Sequence, residues 1–214
     1  MKESYCYSRR ADGAAVCGVC QRRCVVTAGE AGVCRTRKNL DGKLYSLIYA
    51  RIGSLSVNPI EKKPVYHFLP GSRWLSLGTL GCNFHCPGCQ NWELSHVEVE
   101  SQVERLPELS PAQAVALARK EGCVGISWTF NEPTIWFEYT LDGASAAKRA
   151  GLFTNYVTNG SITPEALDAI GPYLDIFRVD LKAYSRDVLR RLTDFPNPAF
   201  ILAATERAQQ RWGM

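Results

Sequence analysis

The 214-residue sequence lacks three features, and each absence argues against a class of protein. No apolar run approaches the ~18 residues that a membrane-spanning helix requires, so we expect no membrane association. The first residues, MKESYCYSRRADG, include basic side chains but no continuous apolar core, so they do not resemble a secretory signal and we expect a cytoplasmic protein. The net charge is +4, but the basic residues are scattered, so we expect no nucleic-acid partner.

Cysteine, in contrast, is abundant, with nine residues in the chain. In a reducing compartment such cysteines more often bind metal or take part in catalysis than form disulfides. Their spacing divides them into two groups and two single residues. One group is Cys17, Cys20, Cys24 and Cys34, the other is Cys82, Cys86 and Cys89, and Cys6 and Cys123 stand alone.

Strand and helix signals alternate from residue 73 onward. The predicted strands are residues 73–79, 124–130, 152–157 and 175–181, and the predicted helices begin near Ser110, Thr134, Thr163 and Ser185. This alternation predicts an α/β fold with a parallel sheet and crossover helices. Residues 1–70 read instead as a small cysteine-rich β module, in which Asp41-Gly42 is a hairpin turn signal. We therefore predict two domains, residues 1–70 and 71–214.

Reactive side chains follow each of the four predicted strands. They are Cys82, Cys86 and Cys89 after the first, Asn131 and Glu132 after the second, Thr158 and Asn159 after the third, and Asp180 and Lys182 after the fourth. In parallel α/β proteins the carboxyl ends of the strands meet on one face, where function collects. The sequence thus predicts one pocket that combines thiolates, a carboxylate, an amide and an ammonium group.

The first group in that pocket has three cysteines, whereas a closed 4Fe-4S site normally has four. Three thiolates leave one iron open. An open iron beside a carboxylate and a cation suits a small zwitterion, whose amino group pairs with Glu132 and whose carboxylate pairs with Lys182. The head group of an amino acid fits this description.

The cysteine loop, CNFHCPGC, resembles the CxxxCxxC signature of the radical S-adenosylmethionine (SAM) superfamily, which follows the first strand of a β/α barrel. Flanking segments resemble the branch related to pyruvate formate-lyase activating enzyme, specifically the AmmeMemoRadiSam group. These segments are residues 57–64 (VNPIEKKP), 66–71 (YHFLPG), 81–84 (GCNF), 89–92 (CQNW), 130–136 (FNEPTIW) and 179–182 (VDLK). The similarity runs from Cys17 to about Leu181, which makes it more specific than the cysteine motif alone.

The resemblance implies a partial (β/α) TIM-type barrel, a 4Fe-4S cluster and SAM. It implies that the reduced cluster cleaves SAM to a deoxyadenosyl radical, which abstracts a hydrogen atom from a substrate. Cys82, Cys86 and Cys89 would ligate the cluster, and Asn131, Glu132, Thr158, Asn159, Asp180 and Lys182 would bind SAM. Implied partners are an electron donor such as flavodoxin or ferredoxin and either a protein substrate, as for a glycyl-radical-enzyme activase, or a small molecule.

Two features depart from the family pattern. The superfamily commonly has an aromatic residue before the third cysteine, which contacts adenine, but this sequence has Gly88. Phe84 and Trp92 are the alternative candidates for that contact. Related enzymes also continue through further strands, so four strands indicate a C-terminally truncated chain with an exposed sheet edge.

Each motif has a simpler structural explanation beside the functional one. The three cysteines are also compatible with a zinc knuckle, which would make the protein a non-catalytic iron-sulfur, zinc-binding or electron-transfer protein. Glu132 is also suited to capping the helix near Thr134, Asp180 and Lys182 to forming a surface ion pair, and Thr158-Asn159-Gly160 to forming a turn.

The N-terminal group of Cys17, Cys20, Cys24 and Cys34 has gaps of two, three and nine residues, which select no single site type. Four thiolates suit zinc or a second iron-sulfur cluster. The alternative is four reduced thiols that pack separately.

Overall fold

A computed structural model describes residues 1–195 and 197–214. The strands are β1 (Lys2–Glu3), β2 (Tyr7–Arg9), β3 (Ala15–Cys17), β4 (Val25–Val26), β5 (Arg37–Leu40), β6 (Lys43–Ser46), β7 (Ser54–Pro59), β8 (Arg73–Gly78), β9 (Gly125–Trp128), β10 (Phe153–Thr158) and β11 (Ile176–Val179). The α-helices are α1 (Trp92–Ser95), α2 (Val99–Gln102), α3 (Pro111–Lys120), α4 (Phe137–Arg149), α5 (Pro164–Ile170), α6 (Arg186–Thr193) and α7 (Pro198–Trp212). Four short 3-10 helices, Ile60–Lys62, Val103–Arg105, Pro133–Trp136 and Gly171–Tyr173, complete the described elements.

The largest sheet has five strands in the order β11-β10-β9-β8-β7. The pairs β8–β9, β9–β10 and β10–β11 are parallel, and each of these strands lies at one of the four predicted positions. Helices α3, α4 and α5 follow or connect these strands and bury their apolar faces against them. The prediction of an α/β fold with a parallel sheet is therefore confirmed, and the carboxyl ends of four neighbouring strands share one edge.

Three of the four predicted helix starts, Ser110, Thr163 and Ser185, are N-caps of α3, α5 and α6, whereas near Thr134 the chain first forms a 3-10 helix and α4 begins at Phe137. Ser110 and Gln113 form a reciprocal capping box at the start of α3, with Pro111 in the first turn. Ser185 caps α6, and Gly213 ends α7 with a φ of +71°. Such caps satisfy backbone groups that would otherwise have no partner at the helix ends.

Strand β7 is the main element that the sequence did not place. It lies within the predicted N-terminal β module, where strand structure stops after Ser46 at the end of β6 and resumes at Ser54. Ala50 lies between them with a φ of +62°, a left-handed conformation that interrupts a strand. Strand β7 then pairs antiparallel with β8 over Ser54–Pro59, so the five-stranded sheet extends to both sides of residue 70. The domain boundary at residue 70 stays a prediction.

The remaining N-terminal strands form two three-stranded sheets, β1-β6-β5 and β2-β3-β4. The hairpin of β5 and β6 turns at Asp41 and Gly42, which have φ values of +51° and +80°. Arg37 on β5 is fully enclosed and forms a bidentate ion pair with Glu138 on α4, at 2.8 and 2.7 Å. This pair joins the N-terminal strands to the helix layer.

No helix within residues 1–195 and 197–214 is long and apolar enough to cross a bilayer.

Candidate cofactor-binding site

The loop that carries Cys82, Cys86 and Cys89 leaves the carboxyl end of β8 through a tight turn at Gly81. Gly81 has a φ of +85°, and a Cβ there would lie 2.5 Å from Cγ2 of Thr36 and 2.9 Å from the carbonyl oxygen of Cys34. Only glycine fits such a conformation and such close neighbours without strain. The turn fixes the direction in which the loop leaves the sheet.

Asn131 holds this turn from the end of the neighbouring strand, β9. Its Nδ2 donates to the carbonyl of Gly81 at 2.8 Å, and its Oδ1 accepts from the backbone N–H of Thr79 at 3.1 Å. The preceding residue, Phe130, has a φ of +73°, and its carbonyl accepts a hydrogen bond from Asn91 after the cysteine loop. A strained backbone of this kind persists where surrounding contacts determine it. In the described structure, Asn131 therefore braces the cysteine loop.

The three cysteines of this loop are free thiols, and each is partly exposed. Burial raises the pKa of Cys82 and of Cys86, and the charge of Lys182 acts in the opposite direction on Cys86. The backbone N–H of Phe84 lies 3.4 Å from the sulfur of Cys82, where it is oriented to stabilise a thiolate. Three soft, partly exposed sulfur donors on one loop fit an iron-sulfur cluster in which each thiolate binds a different iron.

Glu132 is almost completely buried, and both carboxylate oxygens accept hydrogen bonds from the chain itself. Oε1 accepts from the N–H of Thr134 at 2.9 Å and from the hydroxyl of Thr158 at 2.6 Å, while Oε2 accepts from the N–H of Asn159 at 2.7 Å. Burial raises the pKa of Glu132, and these donors oppose that effect. Glu132 thus caps the 3-10 helix that begins at Pro133, which agrees with the capping role that the sequence also suggested. It also joins the end of β9 to the end of β10. Its contact with SAM stays a prediction.

Thr158 and Asn159 at the end of β10 are also enclosed. The Asn159 Nδ2 donates to Oδ1 of Asn83 in the cysteine loop at 2.8 Å, and its Oδ1 accepts from the N–H and hydroxyl of Ser161. Asn83 in turn donates to the Ser161 hydroxyl at 2.7 Å. A closed network of this kind fixes the cysteine loop relative to the third parallel strand.

Asp180 and Lys182 lie beyond the end of β11 and form an ion pair at 2.9 Å, with about 40% of each side chain exposed. Asp180 also pairs with Arg178. Lys182 is close enough to Cys86 for its charge to lower the pKa of that thiol against the larger effect of burial. Cys86 also packs on the same apolar cluster as Val179 and Leu181, so the fourth strand end faces the cysteine loop, and Lys182 is the exposed member of the predicted SAM-binding residues.

Phe84 and Trp92, the two candidates for an aromatic contact with adenine, differ in their exposure. Phe84 is buried in a cluster with Leu189, Phe195 and Ile201, so the idea that it contacts adenine does not fit this structure. Trp92 is 61% exposed. A Cβ at Gly88 would meet no atom within 4 Å, so the position that is commonly aromatic in the resembling family borders open space here.

A cavity of about 200 Å³ opens beside the loop. It is lined by Val33, Cys34, Arg35, Cys82, His85, Ser95, His96 and Val97. Cys82 is the cluster cysteine in this lining, and Ser95 connects the cavity to a second one, because its hydroxyl lies 3.7 Å from the sulfur of Cys89. A polar cavity against reactive thiols provides the space that a small ligand needs.

The N-terminal group, Cys17, Cys20, Cys24 and Cys34, lies on the other side of the cysteine loop. All four residues line one cavity, together with Arg22, Arg37 and Asn83. Burial raises the pKa of Cys17 to about 11 and that of Cys20 to about 12. Within the described residues, no three His, Cys, Asp or Glu side chains surround a point that suits a single metal ion.

Three residues that connect these parts had no functional signal in the sequence. Asn83 lies between Cys82 and Phe84, Ser161 follows the turn sequence Asn159-Gly160, and Arg22 is one of two adjacent arginines outside any motif. In the structure, the Arg22 Nε donates to the carbonyl of Asn83 at 2.9 Å, so the N-terminal segment contacts the cysteine loop directly. Pairings between residues so far apart in the chain cannot be read from local spacing.

Comparisons with known proteins agree with this geometry. The family model described as "Radical SAM superfamily" matches residues 77–212, a range that begins in β8 and contains Cys82, Cys86 and Cys89. Uncharacterized protein MJ0808 of Methanocaldococcus jannaschii is 38% identical over 182 residues, which cover 85% of this chain and 54% of that protein. The chain therefore spans about half the length of this curated relative.

Among solved structures, the crystal structure of Streptococcus suis SuiB bound to precursor peptide SuiA aligns with a TM-score of 0.47 and 14% identity. The alignment covers 71% of this chain and 33% of SuiB.

Proposed function

Because the chain belongs to the radical SAM superfamily, we propose that it binds a 4Fe-4S cluster and SAM and cleaves SAM reductively to start a hydrogen abstraction. The observation that carries this proposal is the position of Cys82, Cys86 and Cys89 on one loop at the carboxyl end of β8. The ends of the three neighbouring parallel strands hold or face that loop.

The bound cluster and SAM would supply the chemistry, in which one electron breaks a carbon-sulfur bond of SAM to give methionine and a deoxyadenosyl radical that takes a hydrogen atom from the substrate. The chain would provide three thiolates, and the fourth ligand position would remain for SAM. Its other task is to hold the loop rigidly, because a radical reaction requires the reacting atoms to be close and oriented.

The predicted SAM-binding residues divide by accessibility into two groups. Asp180 and Lys182 are partly exposed and can exchange their mutual ion pair for contacts to the charged head group of SAM. Glu132 and Asn159 are enclosed and hydrogen-bonded to the chain, so we propose that they act as positioning residues for the cysteine loop and that Asn131 and Thr158 support them.

Within the superfamily, the segments around the cysteine loop favour the branch related to pyruvate formate-lyase activating enzyme. We propose that the electron comes from a donor such as flavodoxin or ferredoxin. The proposed substrate is a glycine residue of a partner protein, and a small molecule is the alternative. Electron paramagnetic resonance after turnover separates the two, because a glycyl radical persists on the partner protein.

The test is anaerobic reconstitution with iron and sulfide, addition of SAM and a strong reductant, and quantification of deoxyadenosine and methionine. We expect both products from the unaltered chain and from the matched control Cys123→Ala, whose thiol is buried away from the loop. We expect neither above background from the triple variant Cys82→Ala, Cys86→Ala, Cys89→Ala. Equal product from this variant would overturn the proposal, and a bound cluster that yields no deoxyadenosine would identify a non-catalytic iron-sulfur protein.

A further inference from the structure

We propose that Cys17, Cys20, Cys24 and Cys34 bind a single zinc ion, in a second metal site behind the cysteine loop. This site is independent of the proposed SAM chemistry, because none of the three cluster cysteines contributes to it. Its role is to fix the N-terminal wall against which the cysteine loop packs.

The first support is that all four cysteines line the same enclosed cavity. They come from three places in the chain: Cys17 ends β3, Cys20 and Cys24 lie in the turn after it, and Cys34 precedes β5. Half of the eight other lining residues are apolar side chains, namely Val19, Val26, Val33 and Ile135. The four sulfurs do not yet surround one point in this arrangement, but four thiolates on one cavity are the number that a tetrahedral structural zinc site requires.

The second support is the size of that space. The cavity has a volume of about 10 Å³, which is close to one water-sized sphere. This space is closer to the size of one ion than to that of a four-iron cube. Thiolate ligands select zinc or iron-sulfur clusters among common metals, and the small volume favours zinc. Cysteine has a single side-chain torsion, and the four sulfurs would converge on the ion by rotating about it.

The third support is the electrostatic environment of the cavity. Arg22 and Arg37, whose side chains carry positive charge and N–H donors, are among the residues that line the cavity. One Zn²⁺ with four thiolates carries two negative charges, and buried charge needs nearby donors and cations of this kind.

The fourth support is that this part of the chain has little else to stabilise it. Strands β2, β3 and β4 contain three, three and two residues. Such short strands form a small core, and small protein regions commonly depend on a structural metal. The described interior of this sheet consists largely of Ala15, Val26 and the cysteines themselves.

The site also touches the cysteine loop at two points. The carbonyl of Cys34 and the side chain of Thr36 pack against Gly81, and Arg22 donates to the carbonyl of Asn83. Asn83 itself lines the cavity. A zinc ion that fixes Cys34 and the turn around Cys20 would therefore restrain the start of the cluster loop at Gly81 and at Asn83.

The experiment measures zinc and iron per chain by mass spectrometry in the triple variant Cys82→Ala, Cys86→Ala, Cys89→Ala, which removes the cluster ligands. We expect about one zinc per chain, since one closed tetrathiolate site holds one ion. Adding Cys20→Ser should remove this zinc, and adding Cys123→Ser, the matched control, should leave it in place. No zinc in the triple variant, or unchanged zinc after Cys20→Ser, would overturn the proposal, and so would iron with equimolar sulfide in place of zinc.

A second measurement covers the case in which Cys20→Ser fails to fold. The triple variant is prepared with Co²⁺ in place of zinc, and its visible spectrum is recorded. Tetrahedral thiolate coordination should give intense d–d bands together with sulfur-to-cobalt charge transfer. The weak spectrum of octahedral Co²⁺ would overturn the site. Since this variant has no cluster, the result does not depend on whether the intact chain cleaves SAM.

Discussion

The two cysteine groups of this protein lie beside two cavities that differ in volume. All three cluster cysteines are partly exposed, and Cys82 lines a cavity of about 200 Å³ that also has arginine, serine and histidine in its lining. All four N-terminal cysteines line a cavity of about 10 Å³, Cys17 and Cys20 are buried, and Cys34 lines both cavities. The first cavity leaves room for a ligand, and the second has room for about one atom. The group of three thiols is the more exposed one, and the group of four is the more buried one. Catalytic metal sites, with three protein ligands and an open position, differ from closed structural sites in the same way.

The charged groups of the two regions show the same difference. Beside the cluster loop, the enclosed carboxylate of Glu132 accepts only from neutral N–H and O–H donors. Beside the N-terminal group, Arg37 is paired with the equally enclosed Glu138. The N-terminal region thus contains a buried ion pair, whereas the buried carboxylate of the strand-end site is held by neutral hydrogen-bond donors and its ion pairs are partly exposed. Each region can be disturbed separately, and the expected effects differ in size.

The largest effect is expected from Glu138→Gln, which leaves Arg37 buried without its partner. Removing one member of a buried pair costs about 3–5 kcal/mol, so urea unfolding should show a loss of that order. The matched control is Glu165→Gln, which breaks an exposed pair with Arg23 and should change stability by less than about 1 kcal/mol. Equal losses in the two variants would show that the N-terminal region does not depend on the buried pair.

The same pair predicts a pH dependence. Burial alone would raise the pKa of Glu138, but the charge and hydrogen bonds of Arg37 lower it below its ordinary value of 4.5. A depressed pKa stabilises the folded state above that ordinary value, and the contribution is lost as pH falls through the folded-state pKa. Stability below pH 4.5 should therefore fall more steeply in the unaltered chain than in Glu138→Gln.

An intermediate effect is expected from a pair of glycine variants in the cluster loop. Gly81→Ala places a Cβ against Thr36 and Cys34 at a φ of +85°, and should cost about 1–3 kcal/mol and reduce iron incorporation. Gly88→Ala adds a methyl group where no atom lies within 4 Å, and should leave both nearly unchanged. Iron content after reconstitution and urea unfolding measure the two effects. If Gly81→Ala behaved like Gly88→Ala, the contact between the two cysteine regions would have no structural importance.

The smallest effect on stability is expected from Asp180→Asn. Its pairs with Arg178 and Lys182 are partly exposed, so the free energy of unfolding should change by less than about 1 kcal/mol. If Asp180 and Lys182 contact SAM, the KM for SAM should still rise roughly tenfold, since a hydrogen bond to a charged group contributes about 1.5–3 kcal/mol. Unchanged SAM kinetics would identify these residues as an ordinary surface ion pair.

The local features of the fold were predictable because their causes lie within a few residues. The capping box of Ser110 and Gln113, the turn at Asp41-Gly42 and the helix stop at Gly213 each depend on neighbouring side chains and backbone geometry. The cysteine loop at the end of β8 was predictable for the same reason. Its thiols, strand and turn are consecutive in the sequence.

The features that sequence reasoning missed depend on distant partners. The enclosure of Phe84 requires Leu189, Phe195 and Ile201, which come more than 100 positions later in the chain. Strand β7 pairs antiparallel with β8 because the chain reverses through Ile60–Lys62 and the following turns, which no alternation pattern indicates. The bonds of Asn83 to Asn159 and Arg22 join segments that no motif connects.

One such contact has a consequence for how the protein is made. The Thr163 hydroxyl donates to the carbonyl of Gly18, 145 positions earlier. At typical synthesis rates, Gly18 is synthesised roughly 7 to 30 s before Thr163. During that interval the nascent N-terminal thiols have no docking surface, and oxidants or stray metals can reach them. An ion captured early would act as a protecting group until the rest of the chain has been translated.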